Sequence, residues 1–202
     1  MTVKEMKEIF LRNKYNWCED GIKKALRKLE QYSDDTPIEK LVEDKIIVSE
    51  WAYYWARDIG NKELMKQIIL ESKDPRYAYR WAIDIGNQDE MKQIIIEAKD
   101  PEFAYYWASL IDNEDEMKPI ILETKDPEWA YYWAIDIGNQ DEMKQIILET
   151  KNPKYAYHWA IDIGNQDEMK QIILETKDPE FVYYWAKNIG NRDEIKQNNI
   201  RS

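Results

Sequence analysis

Proline recurs at positions 75, 101, 127, 153 and 179, a step of 26 residues each time. Tryptophan keeps the same step at 55, 81, 107, 133, 159 and 185, and methionine at 65, 91, 117, 143 and 169. A fixed period of this length means that the chain is assembled from copies of one supersecondary unit, so a repeat architecture precedes any other fold class. Six repeats follow, 49–73, 74–99, 100–125, 126–151, 152–177 and 178–202, behind residues 1–48 that do not share the period.

The fourth repeat reads DPEWAYYWAIDIGNQDEMKQIILETK. Asp126 is suited to cap a first helix, and Pro127 supplies a first helical residue with a preset φ and no amide to leave unpaired. Ala130, Trp133, Ala134 and Ile137 follow the i, i+3, i+4, i+7 spacing of one helical face, and Gly138 can take the positive φ of a helix stop. Asn139, with Glu142 three residues on, has capping-box spacing for a second helix whose apolar face is Met143, Ile146, Ile147 and Thr150. Lys151 closes that helix, and Asn152-Pro153 opens the next repeat. A helix of about eleven residues is marginal alone in water, so each hairpin needs its neighbours. The expected fold is all-α: a right-handed α-solenoid of six two-helix repeats with an N-terminal helical cap.

Residues 1–48 predict the cap. Val3, Met6 and Phe10 mark one amphipathic helix, and Ile22, Ala25, Leu26 and Leu29 a second. Thr36-Pro37-Ile38-Glu39 combines a capping box with a first-position proline for a third, which turns Leu41 and Val42 inward. This cap is expected to cover Trp51 and Trp55 of the first repeat. At the other end, Asn198 and Asn199 stand where the fifth repeat has Ile172 and Ile173, as a terminal repeat facing water requires. The third repeat breaks the pattern. Asp112 replaces the glycine, Leu110 stands where the others have Asp or Asn, and Pro119 falls mid-helix. An interior proline removes one backbone bond and clashes with the carbonyl four residues back, here Asp115, so a kink or a shortened helix is expected.

A first helix with an Ala-x-x-Tyr/Trp-Ala core, an Asn/Asp-x-Asp/Glu start and an Ile-Ile/Leu-rich second helix resembles the short two-helix repeats of uncharacterised bacterial, phage and giant-virus proteins. The resemblance spans residues 49–202; residues 1–48 lie outside it. It implies an architecture and no activity, since those repeats are a domain of unknown function, and the tryptophan content here is heavier than theirs.

The residue inventory leaves little for catalysis. The chain has one His and one Cys, His158 and Cys18, which lie 140 residues apart and sit in no known nucleophile-base signature. They build neither a Cys/His zinc framework nor an internal disulfide. A helical wheel turns His158 away from the core as an exposed ring, and Cys18 beside Trp17 reads as a small structural hydrophobe. The glycines are helix stops apart from Gly21, and none belongs to a phosphate-cradling loop. The acid pairs at 89/90, 115/116, 141/142 and 167/168 recur in the first turn of the second helix, where they complement the helix dipole instead of forming a hydrolytic dyad. No catalytic residue, metal or cofactor is expected, and the chain is read as a non-enzyme.

Forty acidic against 29 basic residues give a net charge of −11, which opposes direct nucleic-acid binding through counterion release. With no 18-residue apolar run and no leader pattern, no membrane partner is expected and the protein is placed in the cytoplasm, the host's if it is phage-encoded. Residues 1–48 are neutral, and the six repeats carry 0, −1, −5, −4, −1 and 0. A solvated face explains acids in general but not this concentration in repeats three and four, where Glu102, Glu114, Asp115, Glu116, Glu128, Asp141 and Glu142 carry much of it. A second candidate surface is the series Tyr54, Arg80, Tyr106, Tyr132, His158 and Tyr184, which varies beside a Tyr at 53, 79, 105, 131, 157 and 183 that does not. The invariant Tyr is expected to pack between neighbouring first helices with its hydroxyl satisfied, and the variable position to form an exposed ladder of interface-favoured rings. These features predict a scaffold that binds a protein partner with a basic surface. Two other readings stay open: a phage or mobile-element inhibitor that mimics nucleic-acid charge in a host defence nuclease, and glycan binding or hydrolysis on the aromatic and acidic groove.

Overall fold

The computed structural model describes residues 1–12, 17–111 and 113–189. Among them are fourteen helices and no strand beyond an isolated bridge between Thr2 and Pro37. Ahead of the repeats stand α1 (Val3–Arg12), α2 (Glu19–Leu29) and α3 (Ile38–Glu43). The repeats follow as pairs: α4 (Ser49–Asp58) and α5 (Lys62–Ser72), α6 (Pro75–Asp84) and α7 (Gln88–Ala98), α8 (Pro101–Ile111) and α9 (Glu114–Thr124). Then come α10 (Pro127–Asp136) and α11 (Gln140–Thr150), α12 (Pro153–Asp162) and α13 (Gln166–Thr176), and α14 (Pro179–Asn188). The residues expected to form the second helix of the sixth repeat, with Asn198 and Asn199, and Asp112 lie outside the described residues.

The chain forms two compact units, Met1–Ile94 and Ile95–Ser202, divided within α7. In the first, α1 packs on α2, and α4 on both α5 and α6. In the second, α8, α10 and α12 each pack on the helix that follows them, and each also stacks on the first helix of the next repeat. The second helices α9, α11 and α13 stack in the same way. Two helical layers with nearest-neighbour contacts are the helical-repeat solenoid that the period implied.

Side chains start the first helices as the sequence predicts. The Asp126 carboxylate accepts from the Glu128 amide at 2.9 Å, Asp178 from Glu180 at 3.0 Å, and Asn152 from Lys154 at 3.1 Å, each just ahead of a first-turn proline. The stop is a two-residue device. The amides of Ile137 and Gly138 both reach the Trp133 carbonyl at 2.9 Å, Gly138 has φ 122°, and Asn139 follows at 57°. A Cβ on Gly138 would touch nothing within 4 Å, so glycine is needed there for its backbone alone. Asn139 departs from its expected role. It makes no side-chain cap bond; its backbone sits in the left-handed region, which Asn tolerates better than most L residues. Asn61, Asn87 and Asn165 repeat this conformation, and the Asn87 amide also donates to the Glu90 carboxylate at 3.0 Å.

The core is one layer repeated. Ala130, Trp133 and Ala134 of α10 and Met143, Ile146 and Ile147 of α11 are buried, and the same positions are buried in the neighbouring repeats. Each tryptophan here removes roughly 150–250 Å² from water, about 4–6 kcal/mol, so the indole is the largest single contribution in its repeat. The predicted face is too wide by two residues. Ile137 lies just past the helix end and is half-buried, and exposed Thr150 turns its hydroxyl back onto the Ile146 carbonyl at 2.7 Å. The expected shortening at Pro119 does not occur. α9 keeps eleven residues like α11 and α13, with Pro119 exposed and Met117, Ile120 and Ile121 still buried.

The cap buries Val3, Met6, Phe10, Ala25, Leu29, Ile38 and Leu41, and Phe10 meets Trp51 and Trp55 with ring centroids at 6.1 Å. The Thr36 box does not form. Pro37 precedes α3 in extended conformation because residues 36–38 pair with the N-terminus: the Val3 amide reaches the Thr36 carbonyl at 2.8 Å and the Ile38 amide the Met1 carbonyl at 2.9 Å. The capping box of this region is Thr2 with Glu5, whose carboxylate accepts from the Thr2 amide at 2.8 Å. Cys18 is exposed, contrary to its reading as a structural hydrophobe, because it stands ahead of α2 at its N-cap.

Candidate functional site

Period and capping leave one flank of every first helix lined with rings. Its most regular feature is the unchanging tyrosine. Tyr131 donates to the Asp162 carboxylate of the next repeat at 2.5 Å, and Tyr53 and Tyr105 do the same to Asp84 and Asp136. At the end of the series Asn188 donates to the Tyr157 hydroxyl at 2.5 Å. Burial and the carboxylate both raise the Tyr131 and Tyr105 pKa values, so these phenols stay neutral donors. At Tyr53, Tyr105 and Tyr131 the constant ring is thus a register pin between repeats, as expected, whereas Tyr183 is exposed.

The variable series is less open than a ladder of free rings. Tyr132 and Tyr184 are exposed, at 38% and 37%, while Tyr54, Tyr106 and His158 are half-buried. His158 departs from the expected exposed ring because it packs among Tyr131, Tyr155 and Tyr157 at 5.8, 6.5 and 5.5 Å. The packing reveals a third series, the third residue of each first helix: Trp51, Tyr77, Phe103, Trp129, Tyr155 and Phe181. A 26-residue tally of aromatics at that position would have found it. Trp129 lies 5.5 Å from Tyr105, 5.6 Å from Tyr106 and 5.7 Å from Tyr132. Through Tyr131, Tyr155, His158 and Tyr157 the rings continue unbroken to Phe181 and Tyr184.

This flank already holds cations. Lys154 lies 4.7 Å over the Tyr155 ring and donates to its hydroxyl at 3.0 Å; that bond raises its pKa most, and the nearby Glu128 adds to it. Arg80 lies over Tyr77 at 5.7 Å and reaches the Tyr54 hydroxyl at 3.5 Å, and Arg57 lies over Tyr54 at 5.0 Å. A positive charge over a ring face gains about 0.5–2 kcal/mol, the more so when partly desolvated. At the position of Arg76 and Lys154 the other repeats carry Glu50, Glu102, Glu128 and Glu180; Glu50 and Glu180 are exposed, while Glu102 and Glu128 are half-buried beside Tyr106, Trp129 and Tyr132. Burial, with these two carboxylates nearby, raises the Tyr106 pKa.

The seven acids do not form one belt. Glu102 and Glu128 lie in the first turns of α8 and α10, next to the rings. Glu114, Asp115 and Glu116 open α9, and Asp141 and Glu142 open α11, at the opposite end of an antiparallel hairpin roughly 15 Å long. Glu142 is also engaged with Lys118 at 3.0 Å, one of a series in which Lys66 meets Glu90 and Lys144 meets Glu168 across repeats. The ring-facing pair and the distal group are therefore separate features.

Among the described residues no helix is long and apolar enough to cross a membrane, and no group of three or more His, Cys, Asp or Glu is placed to hold a metal ion. Fold and surface define an all-α helical-repeat protein whose second unit carries a continuous aromatic flank from Tyr105 to Tyr184, bordered by acids. No protein-family model, curated protein or solved structure matches the chain.

Proposed function

We propose that the protein is a non-enzymatic binding scaffold whose first-helix flank in repeats three and four takes lysine and arginine side chains of a basic protein partner. The observation that carries this is Lys154, a cation of the chain itself seated on the Tyr155 ring beside Glu128. Where Glu102 and Glu128 replace the basic residue, Tyr106, Trp129 and Tyr132 offer the same rings and carboxylates to a cation from outside. Such a surface draws affinity from a few aromatic anchors and on-rate from its charge. A charge-mimicking inhibitor of a nuclease is a special case of the same surface.

The test is binding of a Lys/Arg-rich peptide against its Gln-substituted counterpart, by calorimetry at two salt concentrations. Glu102→Gln with Glu128→Gln is expected to weaken capture about fivefold, and neutralising Glu114, Asp115 and Glu116 to change it little. Equal binding of both peptides, or no response to salt, sinks the proposal. Glycan binding without peptide binding would move the aromatic flank to sugar recognition.

A further inference from the structure

Within the first compact unit, a cavity of about 340 Å³ opens between the cap and the first repeat. Phe10, Trp17, Trp51, Tyr54 and Trp55 supply its rings, with Ile22 and Val48 beside them. The rings are fixed in place: Phe10 stands 5.4 Å from Trp17, and the Trp17 indole donates to Asp58 at 2.8 Å. A dry cavity of about 150 Å³ admits benzene, so this one has room for roughly two fused rings and a substituent.

The charged groups of the wall narrow the ligand. Lys24 and Lys28 lie one turn apart on the same face of α2, and Arg57 joins them against a single acid, Glu50, among the described lining residues. Arg57 is already held by Asp58 at 2.7 Å. Lys28 rests 5.2 Å over the Trp51 ring, and neither Lys24 nor Lys28 has an ion pair among the described residues, whereas Lys23 on the next face lies 3.9 Å from Glu19 and Asp20. Two unpaired lysines at an aromatic cavity run against the charge of a chain at −11. They favour an anion between them.

We infer that this cavity binds a small planar aromatic carboxylate of one or two rings, stacked among Phe10, Trp17 and Trp51 and held at its carboxylate by Lys24 and Lys28. The site stands apart from the aromatic flank of repeats three and four, so either can fail without the other. Naphthalene-2-carboxylate is the probe and neutral naphthalene-2-carboxamide its control, titrated against the full chain by calorimetry and tryptophan fluorescence. The carboxylate is expected to bind about fivefold to tenfold more tightly than the amide, and Lys24→Gln with Lys28→Gln to bring the ratio of the two affinities to about one. Cys18 lines the cavity and is exposed, so saturating carboxylate should slow its alkylation by iodoacetamide in the unmodified protein. No saturable binding, equal affinity for the two probes, or an alkylation rate indifferent to the carboxylate overturns the assignment.

Discussion

Replacing Tyr131 by Phe removes one hydroxyl from the bond to Asp162 and leaves the ring in place. The ring is 8% exposed and the bond 2.5 Å long, so the donor loses a short contact to a charged acceptor in a mostly dry position. Hydrogen bonds to charged groups contribute about 1.5–3 kcal/mol, but Asp162 is exposed and regains water, which sets the expected loss near the lower limit, about 1.5 kcal/mol. With an unfolding entropy of about 2.1 cal/mol/K per residue, a chain of 202 residues loses roughly 3–4 °C of melting temperature for that amount. Thermal unfolding followed by circular dichroism gives the shift. A double-mutant cycle with Asp162→Asn isolates the pair, with a coupling of about 1 kcal/mol expected. Tyr183→Phe is the control, because that ring is 59% exposed. An unchanged Tm for Tyr131→Phe, or equal shifts for the two tyrosines, would show that the phenol-carboxylate pair does not join the repeats.

The same bonds set an alkaline limit. Tyr53, Tyr105 and Tyr131 have pKa values raised above their unfolded value near 10, so their contribution is complete below about pH 10 and is lost as pH rises from there toward their folded values. Denaturant midpoints should be flat through neutrality and fall beyond pH 10, with a shallower fall in the triple Phe variant. Asp126→Ala removes the cap on the Glu128 amide and should cost about 1 kcal/mol, or roughly 2–3 °C, in the same melting experiment, while Asp126→Asn should be close to neutral. Lys177 ends α13 in the left-handed region at φ 54°, so Lys177→Gly is expected to raise stability by about 0.5–1 kcal/mol, read as a higher urea midpoint with an unchanged slope.

The helix boundaries were legible because their signals are local. An Asp-Pro pair dictates a helix start, and Ala130, Trp133 and Ala134 show a period that one buried stripe produces. What was misread depended on backbone conformation or on distant partners. Asn139 carries the composition of a capping box, yet the preceding Gly138 at φ 122° puts the asparagine where its own backbone, and not its amide, makes the turn. Thr36-Pro37 has a helix-start composition too, but the chain's first three residues claim its backbone. The acids of repeats three and four form a single block along the sequence, and the hairpin's reversal separates them into two ends. The cavity of the cap was invisible for a related reason: its rings come partly from the cap, Phe10 and Trp17, and partly from the first repeat, Trp51, Tyr54 and Trp55, and no local signal joins them.

The distribution of variation within the chain bears on function more than any single residue does. The third repeat keeps every inward position, with Ala104, Trp107 and Ala108 on α8 and Met117, Ile120 and Ile121 on α9 buried as in its neighbours. Its departures are all away from that core: exposed Pro119, Leu110 at 67% exposure where Asp84, Asp136 and Asp162 stand in other repeats, and the acids that bring its charge to −5. Surface positions vary in every repeat, as Arg80, Lys154 and His158 show, but acidic charge is densest in the third, whose Glu102 lies near the Tyr106 ring. The next repeat adds Trp129, the ring type that holds a cation best, beside a second carboxylate, Glu128. A constant core beneath a surface whose acidic charge is concentrated in this stretch is the feature on which the proposed binding of a cationic partner rests.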